Sequence, residues 1–197
     1  MIQILDWLAL NWAELAATVL ALIGIFLQIK QNPWYWMVSI FMVVLYIYVF
    51  YISGFYADMS FQVYYLVISV YGWYYWVTGK VKKEKGEIQT SKLKPVQWLY
   101  SLIFASVIFV FIYFLLTKFT NSQVPLGDAF TTSLSFIATW LLARKIIDNW
   151  IIWIVVNVVS TSLYIHKELY MTAFVFTVLT IMAFVGYFKW KKALANA

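Results

Sequence analysis

The 197-residue chain has no cysteine and one histidine, His166. No disulfide framework can form, thiols say nothing about redox compartment, and a His-rich metal site is excluded. Charge is nearly as scarce, at 11% of residues against roughly 25% in a soluble domain. There is no Gly-rich phosphate loop, no HExxH sequence and no nucleophile elbow. No lysine lies inside the last apolar run, so a retinal Schiff base has no anchor, and no paired carboxylates suit a proton relay. An ATP-driven pump and an intramembrane protease therefore find no support. The first residues lack a positive n-region and contain Asp6, with Glu14 close behind. A cleaved signal peptide is not expected there, and the first apolar helix is expected to be retained.

Apolar and aromatic residues are what the chain has, at 64% and 21%. Only lipid suits such a composition. Part of the aromatic content belongs to the interfacial belt, and the surplus could line a cavity. Runs long enough to span a bilayer are predicted at about 12–29, 34–52, 60–78, 97–116, 127–143, 149–165 and 169–188. Asn32-Pro33, the stretch 54–58, the lysine-rich loop 79–95, Pro125-Leu126-Gly127 and Arg144 to Asp148 separate them. The fifth run is short and rich in Thr and Ser. Lys30, the six lysines of the long loop, Arg144, Lys145, Lys189, Lys191 and Lys192 fall on one side. Lys118 and Lys167 alone fall on the other, completing the 14 basic residues. The positive-inside rule then predicts seven transmembrane helices with the N-terminus outside and the C-terminus cytoplasmic. The net charge of +6 follows from this topology, so nucleic acid is not an expected partner.

Spans one to three and five to seven read as copies of one unit. Asn32-Pro33-Trp34-Tyr35-Trp36 is echoed by Asn149-Trp150-Ile151-Ile152-Trp153, and Tyr51-Ile52 by Tyr164-Ile165. Gly72-Trp73-Tyr74-Tyr75-Trp76 is echoed by Gly186-Tyr187-Phe188-Lys189-Trp190. A single helix between two three-helix units makes the repeat parallel. The expected organisation is a single membrane domain, 1–197, with repeats at 12–78 and 127–188 and a linking helix at 97–116. That plan resembles sugar transporters of the SWEET type, with a substrate site near the midplane. Chance recurrence of interfacial aromatics is the alternative.

Polar groups inside spans are costly and so mark candidate sites. Asn157 lies mid-span, preceded at i−4 by Trp153 and followed at i+4 and i+7 by Thr161 and Tyr164, one stripe of a helix. Gln62, Tyr65 and Ser69 descend the third span about a turn apart. For Asn157 the competing role is an interhelical hydrogen bond that holds helices together. Glu14 and Asp128 each begin a span, where the helix dipole favours an acid; a cation attractor or packing partner is the other reading. An uncharged cavity of polar and aromatic groups fits a small organic solute, and Trp and Tyr faces suit a flat aromatic or cationic ring.

The segment Met59-Ser60-Phe61-Gln62-Val63-Tyr64-Tyr65 with Gly72-Trp73-Tyr74-Tyr75-Trp76 resembles the third-helix pattern of the PnuC vitamin transporters. Asn149-Trp150-x-x-Trp153-x-x-x-Asn157 resembles their sixth helix, and Glu14, Asn32, Trp36 and Asp128 sit where that pattern puts them. The resemblance implies an all-α, SWEET-like 3+1+3 membrane fold and no enzymatic activity. It implies facilitated uptake of a vitamin precursor across the bacterial inner membrane, with a cytoplasmic kinase trapping the solute. Nicotinamide riboside is the first expectation, thiamine or riboflavin the alternative. The substrate-binding role passes by resemblance to Gln62, Tyr65, Trp73, Trp76, Trp153, Asn157 and Tyr164, and the stripes add Ser69 and Thr161. Glu14, Asn32, Trp36, Asp128, Asn149 and Trp150 are expected to gate or to support. No cofactor or metal is expected; the partners are the aromatic, cationic solute and membrane lipid, with a homo-oligomer left open. The rivals are a membrane scaffold or sensor that moves nothing, and a proton-coupled exporter using Glu14 or Asp128.

Overall fold

The computed structural model describes residues 19–20, 22–52, 56–79, 89–120 and 122–195, without the side chains of 56–58. Glu14, residues 12–18 and 21 of the first predicted span, and Lys80, Lys82, Lys83 and Lys85 lie outside the described residues. Seven helices are seen among them: α1 (residues 22–29), α2 (Trp34–Ile52), α3 (Tyr56–Thr78), α4 (Pro95–Phe119), α5 (Pro125–Ala143), α6 (Asn149–His166) and α7 (Tyr170–Ala195). No strand occurs among the described residues beyond one isolated parallel bridge between Ser91 and Ile146. Among the described residues five helices, α2 and α4 to α7, are long and apolar enough to cross a membrane.

Several boundaries lie a few residues outside those expected, and two of them have a plain physical reason. Helix α7 runs on to Ala195, because Lys189, Lys191 and Lys192 mark an interface without breaking a helix. Helix α4 starts at Pro95, where a proline in the first turn sacrifices no hydrogen bond.

The chain divides into two compact units, Met1–Trp73 and Tyr74–Ala197. In the first, α2 and α3 run antiparallel, as successive contacts show. The Trp34 and Trp73 rings meet edge to face at 5.8 Å. Trp36, fully buried, lies on the bare backbone of Gly72. The Ser39 and Ser69 hydroxyls share a hydrogen bond of 2.9 Å. Asn32 starts α2 by accepting the Trp34 N–H on its side-chain oxygen at 3.0 Å, an Asx turn of the sort that opens helices.

In the second unit α6 packs against α5 and α7, and α5 also against α4. Helix α5 is the most enclosed, burying Ala129, Ser133, Ser135, Ala138, Thr139 and Ala143. Small side chains let neighbouring backbones approach closely. Its hydroxyls turn back on their own helix: Thr131 donates to the Gly127 carbonyl, Ser135 to Thr131 and Thr139 to Ser135, at 2.8–3.0 Å. Each polar group is thereby satisfied where no water can serve it. A Thr- and Ser-rich run therefore makes a sound interior helix. Helix α4 instead exposes Leu99, Leu102, Phe104, Val107, Val110, Phe111 and Phe114, an apolar surface suited to lipid chains.

Three helix ends share one device. Gln31 and Lys145 both adopt left-handed backbone, each at φ 55°, and at the end of α6 Glu168 adopts it at φ 60°. The amide after each returns to a carbonyl five residues back, Asn32 to Leu27, Ile146 to Leu141 and Leu169 to Tyr164, all at 2.9 Å. This is the Schellman closure, usually given to glycine.

Candidate functional site

Helix α6 carries the predicted stripe. Ile152 and Val156 join Ala138 and Leu141 of α5 in a buried apolar cluster, so this face is committed to packing. Trp153, Asn157, Thr161 and Tyr164 occupy the adjoining face. Trp153 leans on the edge of that cluster, and its indole N–H, out of reach of solvent, has no partner among the described residues. Asn157 is buried, and its carboxamide makes no hydrogen bond to any described residue. The two groups lie one turn apart, a donor followed by a donor-acceptor. Thr161 spends its hydroxyl on the Asn157 backbone carbonyl at 2.8 Å. The Tyr164 ring rests on Phe176 of α7 at 5.1 Å.

Other predicted residues are placed differently along the same helix. Trp150 is fully buried, seated on Gly186 of α7 and edge-on to Trp190 at 5.7 Å. Trp76 is also fully buried; its N–H donates to the Ala143 carbonyl at 3.1 Å and its ring lies 6.2 Å from Trp190. Lys145 Nζ stands 4.9 Å above the Trp76 ring. These residues form an aromatic knot around the turn from α5 to α6. Asn149 is buried in the same turn, its amide nitrogen donating to Ile146 at 2.6 Å, and its side-chain oxygen meets no donor among the described residues.

At the far end of α6, Asp128 accepts from Ser122 Oγ at 2.7 Å and pairs with Lys167 at 3.2 Å. Lys167 Nζ lies 5.8 Å from the Tyr164 ring, and Gly127 packs on Leu163. The ion pair thus fastens the start of α5 to the end of α6.

In the first unit, Ser69 and Trp36 are engaged in the α2–α3 contacts described above, Asn32 in the turn that opens α2, and Trp73 in the edge contact with Trp34. Tyr65 is half-buried against Tyr64 at 5.4 Å. Gln62 is half-buried, and its carboxamide bonds to no described residue. Glu14 lies outside the described residues.

Sequence reasoning passed over Asp148, which precedes α6 directly. An acid just before an apolar run is the available signal, but it reads as an ordinary cap. Ser39, a lone hydroxyl in an apolar run, carried a signal of the same kind. Among the described residues no three His, Cys, Asp or Glu side chains gather as a metal site.

An all-helical chain with five helices fit to cross a bilayer and unspent polar groups along an interior helix belongs to the multi-pass membrane proteins. Residues 11–192 match the family model described as nicotinamide mononucleotide transporter, and the chain belongs to that family. It is 23% identical over 205 residues to the nicotinamide riboside transporter PnuC of Escherichia coli K12, covering 92% of this chain and 85% of that one. It is 22% identical over 182 residues to the riboflavin/roseoflavin transporter RibM of Streptomyces davaonensis, covering 91% and 84%. A crystal structure of the vitamin B3 transporter PnuC superposes with a TM-score of 0.74 at 21% identity, covering 94% of this chain and 83% of that one. The fold is therefore the PnuC fold, and the chain is a membrane transporter rather than an enzyme.

Proposed function

We propose that this transporter carries nicotinamide riboside by facilitated diffusion, alternating access across a bacterial inner membrane, with a cytoplasmic kinase trapping the solute. The observation that carries the reading is the juxtaposition, one turn apart on α6, of the Trp153 N–H, which has no partner among the described residues, and the buried Asn157 carboxamide. The Asn149 side-chain oxygen and the Trp150 N–H, also unpartnered among the described residues, sit in the packed turn instead. Nicotinamide riboside presents a flat pyridinium cation bearing a carboxamide. Trp and Tyr faces attract such a ring, and an asparagine amide can both donate to and accept from the carboxamide. Trp153, Asn157, Thr161 and Tyr164 are the proposed contacts on α6, and Gln62 and Tyr65 those on α3. Ser69, Trp73, Trp76, Asn149 and Trp150 have protein neighbours that favour supporting roles. A riboflavin substrate is the second reading, favoured by the likeness to RibM, and thiamine, also an aromatic cation, the third.

The repeat at 12–78 and 127–188 is part of the proposal. Its support is local geometry recurring at one offset: Gln31 and Lys145, Trp36 and Trp150, Gly72 and Gly186 are each 114 residues apart. In each copy a buried tryptophan lies on a glycine 36 residues later. The proposed orientation, N-terminus outside and C-terminus cytoplasmic, rests on the distribution of the 14 basic residues.

The test is tryptophan quenching of the detergent-purified protein, titrated with nicotinamide riboside, thiamine and riboflavin. Saturable binding of the riboside, weakened at least tenfold by Asn157→Ala and by Trp153→Ala in folded protein, is expected. Unchanged affinity in both variants would remove the α6 assignment. Saturation by riboflavin or thiamine instead would reassign the substrate.

A further inference from the structure

Asp148 is the N-cap residue of α6, a position where an aspartate normally turns its carboxylate onto the free amides of its own first turn. Here the carboxylate makes no such bond. It is buried at 1% exposure and instead accepts the backbone N–H of Leu93 through Oδ2 at 2.7 Å. Leu93 belongs to a short strap, residues 90–93, that leads into α4. Two further bonds tie the strap to the same turn: Ser91 N–H donates to the Lys145 carbonyl at 3.1 Å, and Ile147 N–H to the Ser91 carbonyl at 2.9 Å. Thr90 and Leu93 are buried. The Leu93 side chain belongs to the apolar cluster with Ala138, Leu141, Ile152 and Val156, against which Trp153 and Ile146 pack.

A carboxylate excluded from water is costly unless hydrogen bonds compensate it. Turning one away from its helix and onto a strap amide spends that compensation on holding the strap. The strap in turn holds Leu93 in the layer beneath the Trp153 indole. We infer that Asp148 is a positioning residue for the substrate-facing stripe: through Leu93 it clamps the 90–93 strap to the α5–α6 turn and so fixes where Trp153 stands. This rests on the binding role proposed for Trp153, but the placement of the indole can be read without substrate.

The chain has no cysteine, so a disulfide can replace the carboxylate selectively. The bridged pair supplies the positions, Ser91→Cys with Ile146→Cys, since directly paired backbones lie within disulfide reach. The protein is labelled with 5-fluorotryptophan, and the Trp153 fluorine resonance is assigned by its loss in Trp153→Phe. In Asp148→Ala that resonance is expected to move or broaden, and affinity for nicotinamide riboside to fall about tenfold. Asp148→Asn, which keeps an acceptor oxygen, is expected to stay near wild type. Oxidising the cysteine pair in the Asp148→Ala background is expected to restore the resonance, and reduction to lose it again.

An unmoved Trp153 resonance in Asp148→Ala overturns the inference, as does a moved one that the disulfide fails to restore. A resonance that moves and returns while affinity never changes upholds the positioning and removes the binding role of Trp153 instead. Should Asp148→Ala fail to fold, Leu93→Ala replaces it. That variant must move the Trp153 resonance, and an unmoved resonance there overturns the inference equally.

Discussion

Gly186→Ala puts the packing of α6 on α7 to a quantitative test. A methyl built on Gly186 would stand 2.5 Å from Trp150 Cη2 and 2.6 Å from Cζ2 and Cζ3. Carbon atoms pack at about 3.5–4.0 Å, so the helices or the ring must part by roughly 1 Å. The ring has nowhere to go, being fully buried with Trp190 edge-on at 5.7 Å. Overpacking a closed core costs about 1–3 kcal/mol, and a rigid indole puts this site at the upper end. Alanine recovers about 1 kcal/mol of helix propensity over glycine, leaving a net loss of about 2 kcal/mol. At about 2–4 °C per kcal/mol for a chain of this size, the melting midpoint falls by about 4–8 °C. Gly24→Ala is the control, because among the described residues its methyl would meet only the Tyr35 ring at 3.9 Å, an ordinary contact. That variant should melt at or slightly above wild type. The assay is thermal unfolding in detergent at one fixed scan rate, since membrane proteins seldom unfold reversibly. Adding Trp150→Phe should relieve the clash, so the double variant melts no lower than Trp150→Phe alone. A Gly186→Ala protein melting with wild type would refute the reasoning.

Gly72→Ala should behave as Gly186→Ala does in the same melts, since its methyl would lie 2.5 Å from Trp36. A double-mutant cycle of Asp128→Asn with Lys167→Met should give a coupling below about 1 kcal/mol, because both side chains are partly exposed; thermal melts in low and high salt measure it. Ser69→Ala should lose about 0.5–1 kcal/mol of stability through the Ser39 hydroxyl, without changing substrate affinity in the quenching titration. Single cysteines test orientation in the cysteine-free chain: Gln123→Cys, at an exposed position before α5, should react with an impermeant maleimide on whole cells, and Lys192→Cys only after permeabilisation.

The spans were legible because lipid admits few solutions: a helix of about 20 apolar residues satisfies its own backbone, and lysines mark the breaks. Lysines do not mark the ends as well: α7 continues through Lys189, Lys191 and Lys192, with Trp190 buried among them. The Trp153, Asn157 and Thr161 stripe was legible from helical spacing alone. What spacing does not convey is which polar atoms are already spent. Trp76 and Trp153 look alike in sequence, yet one donates to Ala143 and the other to no described residue. Register within the proposed repeat was legible only loosely, since aromatics recurring every few residues align Trp36 with either Trp150 or Trp153. The glycine beneath the ring selects Trp150. Asp148 escaped notice because its partner, Leu93, lies 55 residues away in sequence and no periodicity connects them.

Carriage of nicotinamide riboside is measured by uptake of the radiolabelled compound into liposomes holding the purified protein and, in their lumen, a riboside kinase with ATP. Expected is saturable uptake that ignores an imposed proton gradient, equilibrates without the kinase and accumulates with it, and is lost in Asn157→Ala. Riboside binding with no flux would mark a sensor, and uptake driven by the proton gradient a coupled carrier. Either result would overturn facilitated diffusion of the riboside by this chain.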